Sequence, residues 1–244
     1  MSDARYRLSF DNVADVYERS RPGYAPAALA WLAERLGIGP GRRVLDLAAG
    51  TGKLTRQLLA LGAEVVAVEP GDEMRAVLAR AVPRAEAIAG SAEAIPLPDR
   101  SVDTITVAQA FHWFQVEETL SEMHRVLRPG GGFALLWNEW DDEDELLHAL
   151  NEIVEPLRPE SRREDGRREA LEQSTLFTGL EERAFRHEEL LAAKTVVERA
   201  SSVSAISAAE PDVRERALAA VRALVGDGAV RFPLITTVLV ADRA

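Results

Sequence analysis

The fold this sequence predicts is an open, mostly parallel α/β sheet with helices on both faces, and three observations predict it. Residues 43–47 (Arg43-Val44-Leu45-Asp46-Leu47) form a short apolar run that passes through Ala48-Ala49-Gly50-Thr51-Gly52 into a helical pattern. Similar short runs recur at βα spacing, separated by amphipathic stretches. Most of these runs are apolar at successive positions and do not alternate, as expected of strands covered on both sides.

The elements follow in order. Residues 25–36 read as a helix, with Pro26 in its first turn and Gly37 just beyond its end. Strands are predicted at 43–47, 64–68, 84–89, 102–107 and 132–137, with helices at about 52–61, 72–81 and 116–127 between them. Beyond Trp137 the alternation weakens. The acidic run 139–145 opens a helix that extends to about Leu157, because acids suit a helix N-terminus. The charged stretch 158–168 carries Pro159 and Gly166 as breakers. A short strand near 184–190, helices near 194–207 and 211–225, and a last strand at 234–240 complete the pattern. Pro233, which lacks an amide donor, is expected to precede that strand and not to lie within it.

The 244 residues suit one large domain, in which 1–40 supply N-terminal cap helices, 41–140 a cofactor-binding core, and 141–244 a substrate cap and the last strands. Cysteine is absent, which excludes disulfides, thiolate metal sites and a cysteine nucleophile. The four histidines show no ligand spacing, so no metal is expected. A net charge of -11 argues against nucleic acid as a partner. With no apolar run near the roughly 18 residues that span a bilayer and no secretory core, no membrane is expected and a cytoplasmic location is.

The glycine turn bears the chemistry. Gly50 and Gly52 let backbone approach a ligand, and the helix that follows offers free amides to a carboxylate. Thr55 stands where a dinucleotide fingerprint has its third glycine, and Leu47 occupies the first glycine position of a P-loop. Asp46 would repel a pyrophosphate but attract a cofactor that carries an amine and a sulfonium, which favours S-adenosylmethionine over NAD. Glu69, at the end of the second strand, suits both ribose hydroxyls. Met74 either packs on an adenine or belongs to the core.

Residues 44–55, then Val66-Ala67-Val68-Glu69-Pro70, Gly90-Ser91-Ala92-Glu93-Ala94-Ile95-Pro96-Leu97, 108–114 and Arg125-Val126-Leu127-Arg128-Pro129-Gly130-Gly131, resemble the class I S-adenosylmethionine-dependent methyltransferases. Phe10, Tyr17, Arg21-Pro22 and Tyr24 are similar to the N-terminal segment of the small-molecule branch that includes trans-aconitate-type enzymes. The resemblance implies a Rossmann-like, seven-stranded sheet with an antiparallel last strand and a helical cap. It also implies a cofactor site formed by Tyr17, Arg21, Asp46, Ala48, Gly50, Gly52, Glu69, Pro70, Met74, Ser91, Ala92, Glu93, Gln109 and Ala110. Two positions depart from the family. Ala48 replaces the first glycine of the loop, and Ser91 stands where an aspartate often bonds the adenine.

The segment after the fourth strand lacks the Asn/Asp-Pro-Pro-aromatic run of base N-methyltransferases, so base N-methylation is disfavoured, and the branch resemblance implies a small-molecule acceptor with oxygen, as carboxylate or hydroxyl, taking the methyl. His112 would face both methyl and acceptor, either as a base for a hydroxyl or as a residue that only bonds local backbone. Trp113, Trp137 and Asn138 would border the acceptor, with Trp140 as a further wall. Arg158, Arg162, Arg163, Arg167 and Arg168 form either a lid for an acidic substrate or a hydrated surface. A monomer or homodimer is expected. Two rivals remain: a protein of this fold that binds the cofactor without methylating, and a nicotinamide oxidoreductase.

Overall fold

The structure, a computed structural model, describes residues 18, 20–158 and 167–244. Tyr17, Arg162 and Arg163 lie outside the described residues. The chain divides into two compact units. Of the described residues, one unit takes 23–138, 167–185 and 236–244, and the other takes 18, 20–22, 139–158 and 186–235.

The first unit is built on a sheet. In chain order its elements are α1 (Pro26–Leu36), β1 (Arg43–Leu47), α2 (Lys53–Ala60), β2 (Glu64–Val68), α3 (Asp72–Ala81), β3 (Glu86–Ile88), β4 (Val102–Ala108), a 3-10 turn (Phe111–Trp113), α4 (Val116–Val126), β5 (Leu127–Trp140), α6 (Arg167–Gln173), β6 (Phe177–Ala192) and β7 (Ala229–Arg243), with α5 placed below. The sheet order is β3-β2-β1-β4-β5-β7-β6. β1, β2, β3, β4 and β5 pair in parallel, and the sheet turns antiparallel at its last strands, as the resemblance implied.

Alternation along the strands builds two apolar layers. Val44, Val65, Ala134, Leu136, Val238 and Val240 face Leu29, Leu32 and Leu36 of α1 and Leu54 and Leu58 of α2. Their neighbours Leu45, Leu47, Val66, Val68, Phe133 and Leu135 face Leu120, Met123 and Val126 of α4. Helices therefore cover both faces, which is why these strands carry no polar side. Gly37, at φ 65°, ends α1 in the left-handed conformation expected beyond a helix C-terminus.

The second unit has its own apolar centre. α5 (Glu145–Val154) starts at Asp144, whose carboxylate accepts from the amides of Leu146 and Leu147 at 3.1 and 3.2 Å. α7 (Ala193–Ser201), α8 (Ser204–Ser207) and α9 (Pro211–Val225) follow β6. Leu147, Leu150, Val196, Ile206, Val221 and Phe232 pack together among these elements, and Trp140 meets Phe232 edge-on.

Four expectations need correction. Pro233 lies inside β7, where its carbonyl still accepts from the Asp141 amide at 3.4 Å. A strand of this length tolerates one missing donor. β6 runs from Phe177 to Ala192, far beyond 184–190, because it is the edge strand and needs little apolar character. β5 begins at Leu127, not Gly132, and its pairing with β4 shifts between Leu127 and Gly132. The irregularity falls at the Pro129-Gly130 step, where Gly130 takes φ 78°. The helix expected over 194–207 breaks at Ser202 and Val203, where the hydroxyls of Ser201 and Ser202 bond back to the carbonyls of Glu198 and Arg199.

Packing between strands leaves no room at Gly132. A Cβ there would stand 2.6 Å from the Ala241 carbonyl oxygen of β7. Gly132→Ala should therefore cost about 1–3 kcal/mol, read as a lower urea midpoint at constant m. An unchanged midpoint would mean that β5 and β7 have slack.

Candidate cofactor site

The sheet order reverses at β1, whose neighbours are β2 on one side and β4 on the other. In open α/β sheets, ligands lie beyond the carboxyl ends of the strands at such a point. The loop after β1, Glu69 after β2 and the Gln109–His112 segment after β4 all leave from those ends.

The loop is tied down by its own amides. Ala49 N donates to Val68 O at 3.1 Å, and Gly52 N donates to Ala49 O at 2.9 Å. Gly50 and Gly52 sit at φ 57° and 86°, where side chains are disfavoured. Their surroundings differ. A Cβ on Gly52 would collide with Val82 and Leu78 at 2.9 and 3.2 Å, so this glycine lets α2 start against the end of α3. A Cβ on Gly50 would meet nothing within 4 Å, so open space lies beside the loop there. Ala48 takes φ 55°, the left-handed region an alanine enters only at a cost of about 1–2 kcal/mol.

Glu69 spans two loops. Its Oε2 accepts from Gly50 N and its Oε1 from Gly71 N, each at 2.8 Å. The side chain is largely buried. An ionised carboxylate is an acceptor-only group that several donors can share. Pro70 is exposed beside it, and Met74 is buried on α3.

Asp46 is not displayed in the way the electrostatic reading expects. It is 1% exposed. Its Oδ2 accepts from the Thr55 hydroxyl of α2 at 2.6 Å, and its Oδ1 from the Thr106 hydroxyl of β4 at 3.0 Å. Burial, with the nearby Glu69 charge assisting, pushes its pKa up to about 6 against the pull of the two hydroxyls. Asp46 therefore ties β1, β4 and α2 together.

Other expected residues divide. Ser91 is half-buried and Ala92 buried in the loop after β3, where Ser91 forms an isolated bridge with Ala94. Glu93 turns instead to α4, accepting from Gln115 N at 3.2 Å. Gln109, at φ 57°, donates through Nε2 to Asn138 O at 2.9 Å, and Ala110 is buried. His112 and Trp113 are half-buried in the 3-10 turn, their rings 4.8 Å apart. Trp137 is half-buried and packs against the core.

Two of the expected site residues make hydrogen bonds within the protein. The Asn138 amide, expected at the acceptor, donates to Gly23 O at 2.9 Å and accepts from Thr236 Oγ1 at 2.5 Å. That hydroxyl in turn accepts from Ala25 N at 3.0 Å. Asn138 thus fastens β5 to β7 and to the start of α1. Arg21 belongs to the other unit, where its guanidinium donates to the Oγ and carbonyl oxygen of Ser202 at 3.0 and 2.8 Å.

The residues present fit a nucleoside cofactor with an amino-acid tail. Glu69 can take ribose hydroxyls, α2 begins without a side-chain cap, and the Thr51 hydroxyl in the loop is buried with no hydrogen-bond partner. Sequence inspection missed Thr51, Thr55 and Thr106 as parts of this arrangement. Thr55 was visible only as a missing glycine, and Thr106 only as a polar break in an apolar strand.

The raised pKa of Asp46 has a definite sign. Between pH 3.8 and about 6 the folded chain holds a proton that the unfolded chain releases. Asp46 therefore costs stability as pH rises through that window, and the full cost remains above it. Asp46→Asn removes this titration, so its stability relative to the wild type should improve by up to about 3 kcal/mol between pH 4 and pH 7, measured by urea denaturation of both proteins across pH. A difference between the two proteins that stays constant from pH 4 to pH 7 would refute this.

Residues 45–135 match the family described as a methyltransferase domain. An uncharacterized methyltransferase of Mycobacterium bovis is 48% identical over 147 residues, covering 60% of this chain and 59% of that protein. The chain thus spans less than two thirds of that relative. The ubiquinone/menaquinone biosynthesis C-methyltransferase of Rubrivivax gelatinosus is 41% identical over 98 residues, 39% of each chain. Among solved structures, a candidate type II methyltransferase from Anaeromyxobacter dehalogenans aligns over 91% of this chain and 97% of its own, with a TM-score of 0.68 and 26% identity. The Rossmann-like architecture of such proteins is the one described above.

Proposed function

We propose that the protein is an S-adenosylmethionine-dependent methyltransferase acting on a small molecule. The observation that carries this reading is the Glu69 clamp at the glycine loop, set within the segment 45–135 that matches a methyltransferase domain. When bound, the cofactor supplies a methyl group made electrophilic by a sulfonium. Glu69 would accept from the ribose hydroxyls, Ser91 and the Ala92 amide would meet the adenine edge, and the loop and α2 amides would meet the amino-acid carboxylate. Asp46 contributes a negative charge beneath the site, which favours a cationic ligand over a pyrophosphate and so disfavours the nicotinamide reading.

Methyl transfer is an in-line displacement, so alignment of donor and acceptor supplies most of the acceleration. Oxygen is the acceptor atom we favour. His112 stands in the turn after β4 and would hold the proton released by a hydroxyl acceptor, whereas a carboxylate acceptor needs no base. A carbon acceptor is the second reading, supported by the likeness to the Rubrivivax C-methyltransferase. A histidine would serve there too, since a carbon nucleophile also sheds a proton.

Calorimetry with S-adenosylhomocysteine and with NADH tests the cofactor, and binding of the first alone is expected. Glu69→Gln should weaken that binding about 10-fold or more. Tight NADH binding without S-adenosylhomocysteine binding would end the proposal. Transfer of labelled methyl into an acceptor panel separates a methyltransferase from a protein that only binds the cofactor. On a hydroxyl acceptor, His112→Ala should lower kcat by about 100-fold and on a carboxylate acceptor only slightly. Equal losses on both would remove His112 as a base.

A further inference from the structure

The loop of residues 91–99 has almost no structure of its own. Its internal bonds are the Ser91–Ala94 bridge and Leu97 N to Ile95 O. What shapes it is the last turn of α4. Arg125 donates through Nη2 to Ile95 O at 2.9 Å and through Nη1 to Leu97 O and Asp99 Oδ1, both at 2.8 Å. The same guanidinium grips Glu122 twice, with Nε to Oε1 at 2.7 Å and Nη2 to Oε2 at 2.8 Å. Glu122 Oε2 then accepts from Ile95 N at 2.8 Å. At the other end of α4, Gln115 N is held by Glu93. One helix therefore templates the whole loop, and a single arginine fork supplies most of the contacts.

We propose that Arg125, with Glu122, is a positioning residue for adenine recognition: the pair fixes the backbone of residues 91–97 in the shape that reads the nucleobase edge. This rests on the S-adenosylmethionine reading above. Three features support a positioning role over a surface ion pair. The contacts go to backbone carbonyls and an amide, so they specify main-chain shape. The pair is bidentate, a geometry that fixes orientation as well as distance. The pairing is also strong in both partners, since Arg125 holds the Glu122 carboxyl below its usual range while Glu122 raises Arg125. A lysine would deliver the charge but not the fork.

The test compares S-adenosylhomocysteine with S-inosylhomocysteine, which differ only at the purine edge, by calorimetry on the full chain. The wild type should prefer the adenine ligand. In Arg125→Met, S-adenosylhomocysteine should bind about 10-fold more weakly, while the inosine ligand changes little, so the preference collapses. Arg125→Lys should recover part of it. Amides of residues 92–97 should lose hydrogen-exchange protection in Arg125→Met, while those of β1 and β2 keep theirs. Should Arg125→Met not fold, Glu122→Gln is judged by the same ratio. Equal weakening of both ligands with the preference intact, or unchanged binding, would overturn the proposal. Failure of the wild type to bind S-adenosylhomocysteine would instead overturn the cofactor reading itself.

Discussion

One carboxylate bound by two backbone amides sets the geometry on which this site depends. Glu69 holds Gly50 and Gly71 together, and those glycines open the segments that leave β1 and β2. The parallel register puts Leu47 opposite Val68, so both loops start level and an acid one residue beyond β2 reaches each of them. Neither loop needs to find the other. The sheet brings them together, and Glu69 locks what the sheet has already placed. Such pre-organisation lowers the cost of ordering the loops when a ligand arrives.

This arrangement has an energetic cost, and it is concentrated in the same few residues. Asp46 and Glu69 are buried acids close enough for one to raise the pKa of the other. Ala48 and Gln109 adopt positive φ without being glycine. Strained backbone and buried like charges are unfavourable for folding alone, and they cluster where strands end at the topological switch. The apolar layers on both faces offset them. Stability is thus supplied by the sheet and helices, while the strand ends are free to be shaped for binding.

How much of this was legible in the sequence depended on the range of the interaction. The glycine loop, Glu69 and the strand–helix alternation are local patterns, and residues 43–47, 64–68, 72–81 and 211–225 are predicted to the residue. The charge of Asp46 beside the glycine loop is legible, but the hydroxyls that hold it, Thr55 and Thr106, lie nine and sixty residues away and leave no local pattern. The bonds of Asn138 to Gly23 and Thr236 are hidden for the same reason, since both partners are far off in sequence. Arg21 has its partner 181 residues on. β6 was underestimated because an edge strand, exposed and charged, lacks the apolar signal that periodicity detects.

The same distinction explains why α4 carries more responsibility than its amphipathic pattern suggests. Buried on one side through Thr119, Leu120, Met123 and Val126, it is fixed to the sheet by packing. Its N-terminus continues from the turn that holds His112, and its C-terminal turn grips the loop after β3. A packed helix is stiffer than either loop, so groups attached to its two ends keep a constant separation. The loop after β3, held at both ends of α4, and the turn that carries His112 are thereby referenced to a single element. Because β4 pairs Ala108 with Leu136, Gln109 leaves β4 beside Trp137 of β5. In-line transfer tolerates little misalignment, and hanging these segments on one helix and two paired strands is an arrangement that would limit it.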